Sequence, residues 1–166
     1  VMELLRGEEL GKRLARVKRF SYAETVKYLG QAALALDKTH RARIVHRDLK
    51  PENLFLAEQD DGPARIKVLD FGIAKLIAEQ GTEANATQSI GTPMYMAPEQ
   101  FLPNSKVSPA TDMFSLGMMA YTFLVGAGYW REEKEKQGNV YSFLAVVMFG
   151  PTEAATVRAT RQDVEL

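Results

Sequence analysis

Apolar residues recur every three or four positions over much of the chain, and this spacing predicts a mostly helical protein. A short amphipathic helix is predicted over 8–19, and a longer helix over about 22–41. Ser21 and Glu24 have the spacing of a capping box at the start of the longer helix. The residues predicted to form its buried stripe are Tyr22, Val26, Leu29, Ala33, Leu36 and His40.

Two short segments after this helix have the composition of strands. Residues 54–56 and 66–69 are mainly apolar, and residues 60–63 between them supply Asp, Gly and Pro for a turn. The sequence therefore predicts a β-hairpin. Residues 77–92 are rich in Ala, Thr, Gln, Ser, Asn and Gly without periodicity, and they predict a mobile loop.

A second long helix is predicted to begin after Ser108, an N-cap candidate followed by Pro109, and to end at Gly126. This helix is apolar on nearly every side, which predicts a central, buried position. The remaining sequence predicts a charged loop over 131–139, a short apolar helix over 140–149 and a polar tail. The predicted fold class is α+β, mostly α, with one small hairpin.

Charge and composition disfavour or exclude several classes of function. Lys plus Arg and Asp plus Glu number 21 each, so no net charge favours nucleic acid or an anionic membrane surface as a partner. The absence of cysteine excludes disulfides, zinc–thiolate sites and cysteine nucleophiles. The chain contains no apolar run long enough to cross a bilayer and no signal-peptide pattern at its start. We expect a cytoplasmic location, although the complete protein could carry a membrane anchor.

Three short motifs carry the candidate chemistry. The sequence HRDLKPEN at 46–53 leads into the first predicted strand, DFG at 70–72 follows the second strand, and APE at 97–99 follows the predicted loop. In this order and context, the motifs resemble the catalytic loop, the metal-binding motif and the end of the activation segment in eukaryotic-like serine/threonine protein kinases. The sequence GTPMYMAPEQ is most similar to bacterial members. The resemblance implies the helical C-terminal lobe of a kinase, whose short hairpin carries catalytic and metal-binding residues.

The resemblance implies a role for each polar residue of the catalytic loop. Asp48 would orient the substrate hydroxyl and accept its proton, and Lys50 would place a cation beside the transferred phosphoryl group of ATP. Lys at this position is typical of serine/threonine kinases rather than tyrosine kinases. Asn53 and Asp70 would provide oxygen ligands for Mg²⁺. The alternative is that Asp48 and Lys50 form a surface ion pair and that Asn53 is only a turn residue.

The resemblance also implies that residues 1–7 form the hinge on which adenine binds. Spacing from the catalytic loop supports this hinge. The resemblance implies that Met2 would be the gatekeeper behind the adenine and that the backbone of Glu3 and Leu5 would bind the adenine edge. Glu9 would reach the ribose hydroxyls, and Phe55 would lie under the ring. The alternative for residues 1–7 is a frayed terminus.

Further residues resemble the structural and regulatory positions of the family. His46 would stack on Phe71 of the DFG motif, which ends at Gly72, and it is not expected to bind a metal. Arg47 would pair with a phosphate on the activation loop, so phosphorylation would control activity. The candidate acceptors of that phosphate are Thr87 and Ser89, with Thr82 as a weaker candidate.

Three residues resemble positions that support the catalytic loop and the activation segment. Thr92 would hydrogen-bond Asp48 and Lys50 and help to specify a Ser or Thr acceptor. Asp112, at the start of the apolar helix, is expected to be buried and to bond backbone amides of the catalytic loop. Glu99 pairs in the family with an arginine that, by spacing, would lie beyond Leu166. We expect neither Arg158 nor Arg161 to replace it.

The sequence lacks parts that the family needs. It contains no Gly-x-Gly-x-x-Gly loop and no counterpart of the strand lysine that grips the phosphates, so an N-lobe in cis is a required partner. We expect residues 1–166 to be a partial kinase domain: hinge 1–7, C-lobe core 8–130, and a weakly matching 131–166 without the final helices. Such a chain would transfer the γ-phosphate of ATP–Mg²⁺ to Ser or Thr hydroxyls of protein substrates only when completed, and alone it would be inactive.

Two other functions fit parts of this pattern. A pseudokinase-like scaffold would dock partners without catalysis, although it would have no need to retain Asp48, Asn53 and Asp70 together. A phosphotransferase acting on small molecules such as aminoglycosides would share the core of the first two motifs, but the full catalytic-loop sequence together with APE disfavours it.

Overall fold

The structure is a computed structural model that describes residues 4–71, 93–102, 105–137, 139–162 and 164. Within these ranges it contains six α-helices and one three-stranded antiparallel sheet, so the predicted α+β class is confirmed. None of the helices in the described ranges combines the length and hydropathy needed to cross a bilayer. The elements are β1 (Gly7–Glu9), α1 (Leu10–Val17), α2 (Tyr22–Arg41), β2 (Leu54–Ala57), β3 (Arg65–Val68), α3 (Pro109–Val125), α4 (Arg131–Lys136), α5 (Val140–Met148) and α6 (Ala155–Thr160).

Helix α2 begins where the sequence predicts, but its buried face coincides with only part of the predicted stripe, including Leu36. The Ser21 hydroxyl accepts from the Glu24 backbone N–H, and the Glu24 carboxylate accepts from the Ser21 backbone N–H, so the capping box is confirmed. The predicted stripe is wrong at its start, because Tyr22 is 76% exposed and Val26 is 54% exposed. Apolar residues line two neighbouring faces of this helix, and hydropathy cannot choose between them. The face that the fold buries contains Thr25, Tyr28, Ala32 and Leu36.

The hairpin is confirmed and gains a third strand. Strands β2 and β3 pair antiparallel, with Leu54 opposite Val68, and β1 pairs with the other edge of β2. The helix predicted over 8–19 starts later in the structure, since β1 occupies the residues before Leu10, where α1 begins. Gly7 permits this pairing: its φ is +137°, and a Cβ there would lie 2.0 Å from the carbonyl oxygen of Leu56.

Helix α3 is the central element of the fold, as its apolar sequence predicts. One side packs into a cluster with Phe20, Tyr28 and Leu36, to which α3 contributes Leu116, Met119 and Phe123. Another side contributes Met118, Tyr121 and Val125 to a second cluster with Tyr129, Trp130, Phe143, Val147 and Ala159. The helix begins at the Ser108 cap and ends at Gly126 with φ +84°, which confirms both predicted boundaries. Burial on several faces explains why the sequence of α3 lacks a polar stripe.

Two segments after α3 are helical where the sequence analysis predicted none. Helix α4 occupies much of the predicted charged loop 131–139, and Arg131–Glu135 and Lys136–Glu132 ion pairs join successive turns. Helix α6 lies in the predicted polar tail. Both are only six residues long, so they form because neighbouring elements hold them rather than from propensity alone. The predicted apolar helix over 140–149 is confirmed as α5.

Arg158 of α6 is the polar centre that joins these late elements. Its guanidinium donates to both carboxylate oxygens of Glu133 at 2.6 and 2.7 Å, to Glu153 at 3.1 Å and to the Tyr129 carbonyl at 2.6 Å. It also lies 4.1 Å from the centroid of the Tyr129 ring. Burial raises the pKa of Glu133, but the bonds and charge of Arg158 outweigh burial and hold that pKa below its ordinary value. The side chain of Arg158 is only 5% exposed.

We expect Arg158→Ala to lower the free energy of unfolding by about 2 kcal/mol, because it removes a buried cation, bonded through all three guanidinium nitrogens, from two carboxylates that still reach water. Urea unfolding of the 166-residue chain measures this loss. Arg161→Ala is the matched control: Arg161 also bonds Glu153, but its side chain is 50% exposed, so the loss should stay below about 1 kcal/mol. Equal losses in the two variants would show that the buried network is not the source of stability.

Candidate active site

The backbone of the catalytic loop is fixed by the first turn of α3. Asp112 is completely buried, and its carboxylate accepts from the backbone N–H groups of His46 at 2.9 Å and Arg47 at 3.0 Å. His40, at the end of α2, lies with its Nε2 2.7 Å from the same carboxylate. A buried carboxylate with three polar partners is adequately solvated by the protein. The resemblance implies this contact between Asp112 and the backbone of the catalytic loop. His40, predicted only as part of the buried stripe of α2, is a further partner of Asp112.

Arg47 has an unusual backbone conformation at this point. Its φ is +68°, in the left-handed region that non-glycine residues seldom occupy. Such a conformation costs of order 1–3 kcal/mol and persists only when surrounding contacts enforce it. The bonds from Asp112 to two successive amides provide that enforcement. The turn allows the next residue, Asp48, to project from a rigid loop.

His46 joins the catalytic loop to the start of the DFG motif. Its Nε2 lies 2.8 Å from the Leu69 carbonyl oxygen, and its Nδ1 lies 3.3 Å from the Asp48 backbone nitrogen. Because the carbonyl must accept and the amide must donate, these contacts select the neutral ring with its proton on Nε2. Burial lowers the pKa of His46, in agreement with a neutral ring. The ring also packs on Phe71, with centroids 4.7 Å apart.

The three candidate catalytic side chains of this loop lie in one cluster. Lys50 Nζ donates to the Asp48 carboxylate at 3.1 Å, and Asn53 Nδ2 lies 3.3 Å from the same carboxylate oxygen. Asn53 Nδ2 also donates to the Asp48 carbonyl at 2.7 Å. Asp48 and Lys50 are both partly exposed, so the cluster reaches solvent while its backbone stays fixed.

The hairpin places the two candidate metal ligands at the same end of the sheet. Asn53 comes directly before β2, and its carbonyl accepts from the Leu69 N–H at 2.9 Å, next to Asp70. The bonds made by Asn53 Nδ2 turn the carbonyl oxygen of the amide away from Asp48. Asp70 is exposed and has a left-handed φ of +49°. An amide oxygen and a carboxylate fit Mg²⁺, which binds few protein ligands besides water and phosphate oxygens. The described residues contain no cluster of three His, Cys, Asp or Glu side chains suited to a more fully protein-bound metal.

Part of the candidate adenine site is also brought together. Glu9 of β1 lies directly opposite Phe55 of β2, so their side chains share one face of the sheet. The Glu9 carboxylate accepts from Lys12 at 2.9 Å. Leu5 lies just before β1 and is partly buried, whereas Met2 and Glu3 lie outside the described residues.

The APE segment rests on the same turns of α3 as the catalytic loop. Ser115 Oγ donates to the Tyr95 carbonyl at 2.7 Å, and Thr111 Oγ1 donates to the Glu99 carboxylate at 2.6 Å. Arg158 and Arg161 bond Glu133 and Glu153 instead of Glu99, in agreement with the expectation that they do not replace the family's arginine. One helix therefore supports two chain segments that the sequence separates by about fifty residues.

Several predicted positions are not described. Gly72 of the DFG motif and the candidate regulatory residues Thr82, Thr87, Ser89 and Thr92 lie outside the described residues. The roles of these residues, and of Arg47 as a phosphate partner, stay predictions.

Four polar residues that support the site are not among those predicted from the sequence. Thr111 and Ser115 flank the predicted Asp112 on α3, and their position on one helical face is a usable signal. Gln100 contacts the catalytic loop at the Arg47 carbonyl, and His40 contacts the Asp112 carboxylate. Each partner is far away in sequence, so nothing in the local sequence of His40 or Gln100 predicts these contacts.

Comparison with known proteins agrees with this arrangement. The protein kinase domain model matches residues 1–162. The chain is 46% identical over 101 residues to serine/threonine-protein kinase Pkn1 of Myxococcus xanthus, covering 61% of this chain and 14% of that protein. It is 38% identical over 136 residues to serine/threonine-protein kinase SRK2J of Arabidopsis thaliana, covering 81% and 38%. With serine/threonine-protein kinase PknA of Mycobacterium tuberculosis, identity is 40% over 129 residues, covering 76% and 28%.

The fold and the site define an α+β protein built around a kinase-type catalytic loop. The chain belongs to the protein kinase family and is a member of its eukaryotic-like serine/threonine branch. It spans less than two fifths of the length of each of these three relatives.

Proposed function

We propose that this chain forms the substrate-facing, C-terminal lobe of a serine/threonine protein kinase that moves the γ-phosphate of ATP onto Ser or Thr hydroxyls of proteins. The observation that carries the proposal is the cluster of Asp48, Lys50 and Asn53 on a backbone that Asp112 fixes. Membership of the kinase family, whose members typically use ATP and Mg²⁺, supports the same chemistry.

Each residue of the cluster has a task in phosphoryl transfer, which depends mainly on positioning and charge neutralisation. Asp48 accepts a hydrogen bond from the substrate hydroxyl, turns its oxygen toward the phosphorus and takes up its proton. Lys50, held 3.1 Å from Asp48, places positive charge where the transferred group gains negative charge. ATP–Mg²⁺, when bound, supplies the phosphoryl group and part of the charge neutralisation.

Asn53 and Asp70 hold the metal side of the site. Asn53 offers its amide oxygen, because its nitrogen is engaged with Asp48. Asp70 offers a carboxylate just after β3. The packing of His46 on Phe71 orients the start of the DFG motif. Glu9 and Phe55 are the described part of the proposed nucleoside contact.

Activity of the proposed enzyme requires a second lobe. The 166 residues contain no Gly-rich loop and no lysine in a strand before the hinge, so they lack the groups that cover and grip the phosphates in the family. We propose that these groups come from an N-lobe in cis and that the 166 residues alone do not turn over. The substrates are proteins with Ser or Thr acceptors.

We expect Mg²⁺-dependent ATP binding, measured by calorimetry, in a form of the protein extended upstream through an N-lobe. Asp70→Ala should abolish that binding, because it removes the one carboxylate among the proposed metal ligands. The exposed turn residue Asp61 provides the control Asp61→Ala, which should bind like the parent. The 166-residue chain alone should bind much more weakly.

Two results would contradict this proposal. Normal phosphorylation of a basic protein by the 166-residue chain alone would refute the need for an N-lobe. Folded protein in both lengths without any ATP binding would favour the pseudokinase-like scaffold, with the catalytic motifs retained only for structure.

A further inference from the structure

Gln100 follows the APE sequence and bridges two segments through its side-chain amide. Its Oε1 accepts from the Ala97 backbone N–H at 3.0 Å, and its Nε2 donates to the Arg47 carbonyl at 2.7 Å. The first contact closes the short 3₁₀ turn Pro98–Phe101, and the second reaches the catalytic loop, 53 residues earlier in the chain. The two contacts fix the amide orientation, since the backbone N–H must be met by the oxygen.

The Arg47 carbonyl belongs to the peptide that leads directly into Asp48. The two preceding peptides donate their N–H groups to Asp112, and the Asp48 carbonyl accepts from Asn53. The N–H of the Arg47–Asp48 peptide donates to His46 Nδ1 over a long distance, 3.3 Å. The bond from Gln100 to the Arg47 carbonyl is shorter, at 2.7 Å, and is the stronger of these two contacts.

This restraint acts where the backbone is under strain. Arg47 has a left-handed φ of +68°, and rotation of the peptide that follows it would change ψ of Arg47 and φ of Asp48. Such a rotation would move the Cα–Cβ bond of Asp48 and separate its carboxylate from Lys50. A bond that stops the rotation therefore affects how Asp48 is presented, although Gln100 itself touches no reacting atom.

We propose that Gln100 is a positioning residue that couples the segment from Pro93 to Phe101 to the orientation of Asp48. Ser115 and Thr111 tie that segment to α3, and Asp112 ties the catalytic loop to the same helix. Gln100 adds the direct link between them. A displacement of the segment pulls the amide from the Arg47 carbonyl and releases the peptide before Asp48. The effect of Gln100 on catalysis rests on the proposed function. The structural coupling through the Gln100–Arg47 hydrogen bond does not depend on that function.

Two substitutions separate the contacts of Gln100. Gln100→Glu keeps an oxygen for the Ala97 N–H but replaces the donor facing the Arg47 carbonyl by a second acceptor. Gln100→Met keeps the length of the side chain and removes both bonds. Gln59→Glu is the matched control, since Gln59 is exposed and bonds only the neighbouring Glu58 carbonyl among the described contacts. Urea unfolding checks that each variant is folded.

The first readout is amide exchange at Asp48, followed by NMR in the 166-residue chain, and it does not depend on activity. We expect about tenfold faster exchange in Gln100→Glu and Gln100→Met, and no change in Gln59→Glu. If Gln100→Glu does not fold, Gln100→Met carries the same criterion. Unchanged exchange in a folded variant would overturn the proposal.

The second readout is steady-state kinetics in the form that includes an N-lobe. We expect kcat to fall about tenfold in Gln100→Glu while the KM for ATP stays unchanged, because the bond involves none of the proposed nucleotide contacts. If only Gln100→Met were impaired, the role of Gln100 would be limited to the turn at Ala97, and the proposal would fail. An inactive wild-type protein would refute the proposed function, and the exchange readout would still decide the link.

Discussion

Asp48→Asn is expected to lower kcat for protein phosphorylation about a thousandfold in the form that includes an N-lobe. Asn keeps the shape of the side chain and can still accept from Lys50 and Asn53, so the loop should stay folded. It cannot take up the proton of the substrate hydroxyl, and that is the task proposed for Asp48. The KM for ATP should change little, because Asp48 is not among the proposed nucleotide contacts.

Steady-state kinetics with a saturating Ser or Thr peptide measures the effect of Asp48→Asn. Asp61→Asn, in the exposed turn between β2 and β3, gives the same chemical change away from the site and should retain parental kcat. Urea unfolding of Asp48→Asn should match the parent to within about 0.5 kcal/mol. A loss of kcat smaller than about tenfold would remove Asp48 from its proposed role.

Asp112→Ala should lower the free energy of unfolding by about 4 kcal/mol. The substitution leaves the backbone N–H groups of His46, which is buried, and Arg47, which is partly buried, without their Asp112 acceptor. It leaves His40 without its carboxylate partner as well. It also removes the contacts that hold Arg47 at its left-handed φ, so the catalytic loop loses its enforced turn. Asp112→Asn should retain most of this loss, because one of the two acceptors becomes a donor facing an amide N–H.

Urea unfolding of the 166-residue chain measures the effect of Asp112→Ala, and it needs neither ATP nor an N-lobe. Met113→Ala provides the control on the next residue of α3, since Met113 is 53% exposed and its loss should cost little. A loss below about 1 kcal/mol in Asp112→Ala would show that water or a relaxed loop satisfies both amides, and that Asp112 does not fix the catalytic loop.

The two predictions probe different consequences of the same helix. The Asp112→Ala substitution tests how α3 holds the backbone of the catalytic loop. The Asp48→Asn substitution tests the side chain that this backbone presents. A protein in which Asp112→Ala is destabilised but Asp48→Asn retains kcat would have a kinase fold without the proposed chemistry. That combination would favour the pseudokinase-like scaffold over the enzyme.

Local sequence predicts the elements that are stabilised by interactions between residues close together in the chain. The capping box of α2, the Ser108 cap of α3, its Gly126 stop and the hairpin depend on residues a few positions apart, so spacing alone predicts them. The same holds for the candidate catalytic motifs, because their residues are adjacent in the chain and the residue types themselves indicate the chemistry.

Tertiary packing decided what local spacing left open. Two apolar faces compete in α2, and only its neighbours select the one that contains Tyr28 and Ala32. Strand β1 is three residues long and forms because β2 offers a free edge. Helices α4 and α6 are too short to be stable alone and depend on the buried bonds of Arg158.

The candidate site shows the same division. Local sequence predicts Asp48, Lys50, Asn53 and Asp70 as the candidate reactive set, because their identities and order fit one chemistry. Tertiary contacts select the residues that hold this set, since Asp112 and Gln100 reach the catalytic loop from segments far away in sequence and His40 contacts Asp112. The physical reason is that a buried amide or carbonyl requires a partner but does not specify which distant residue provides it.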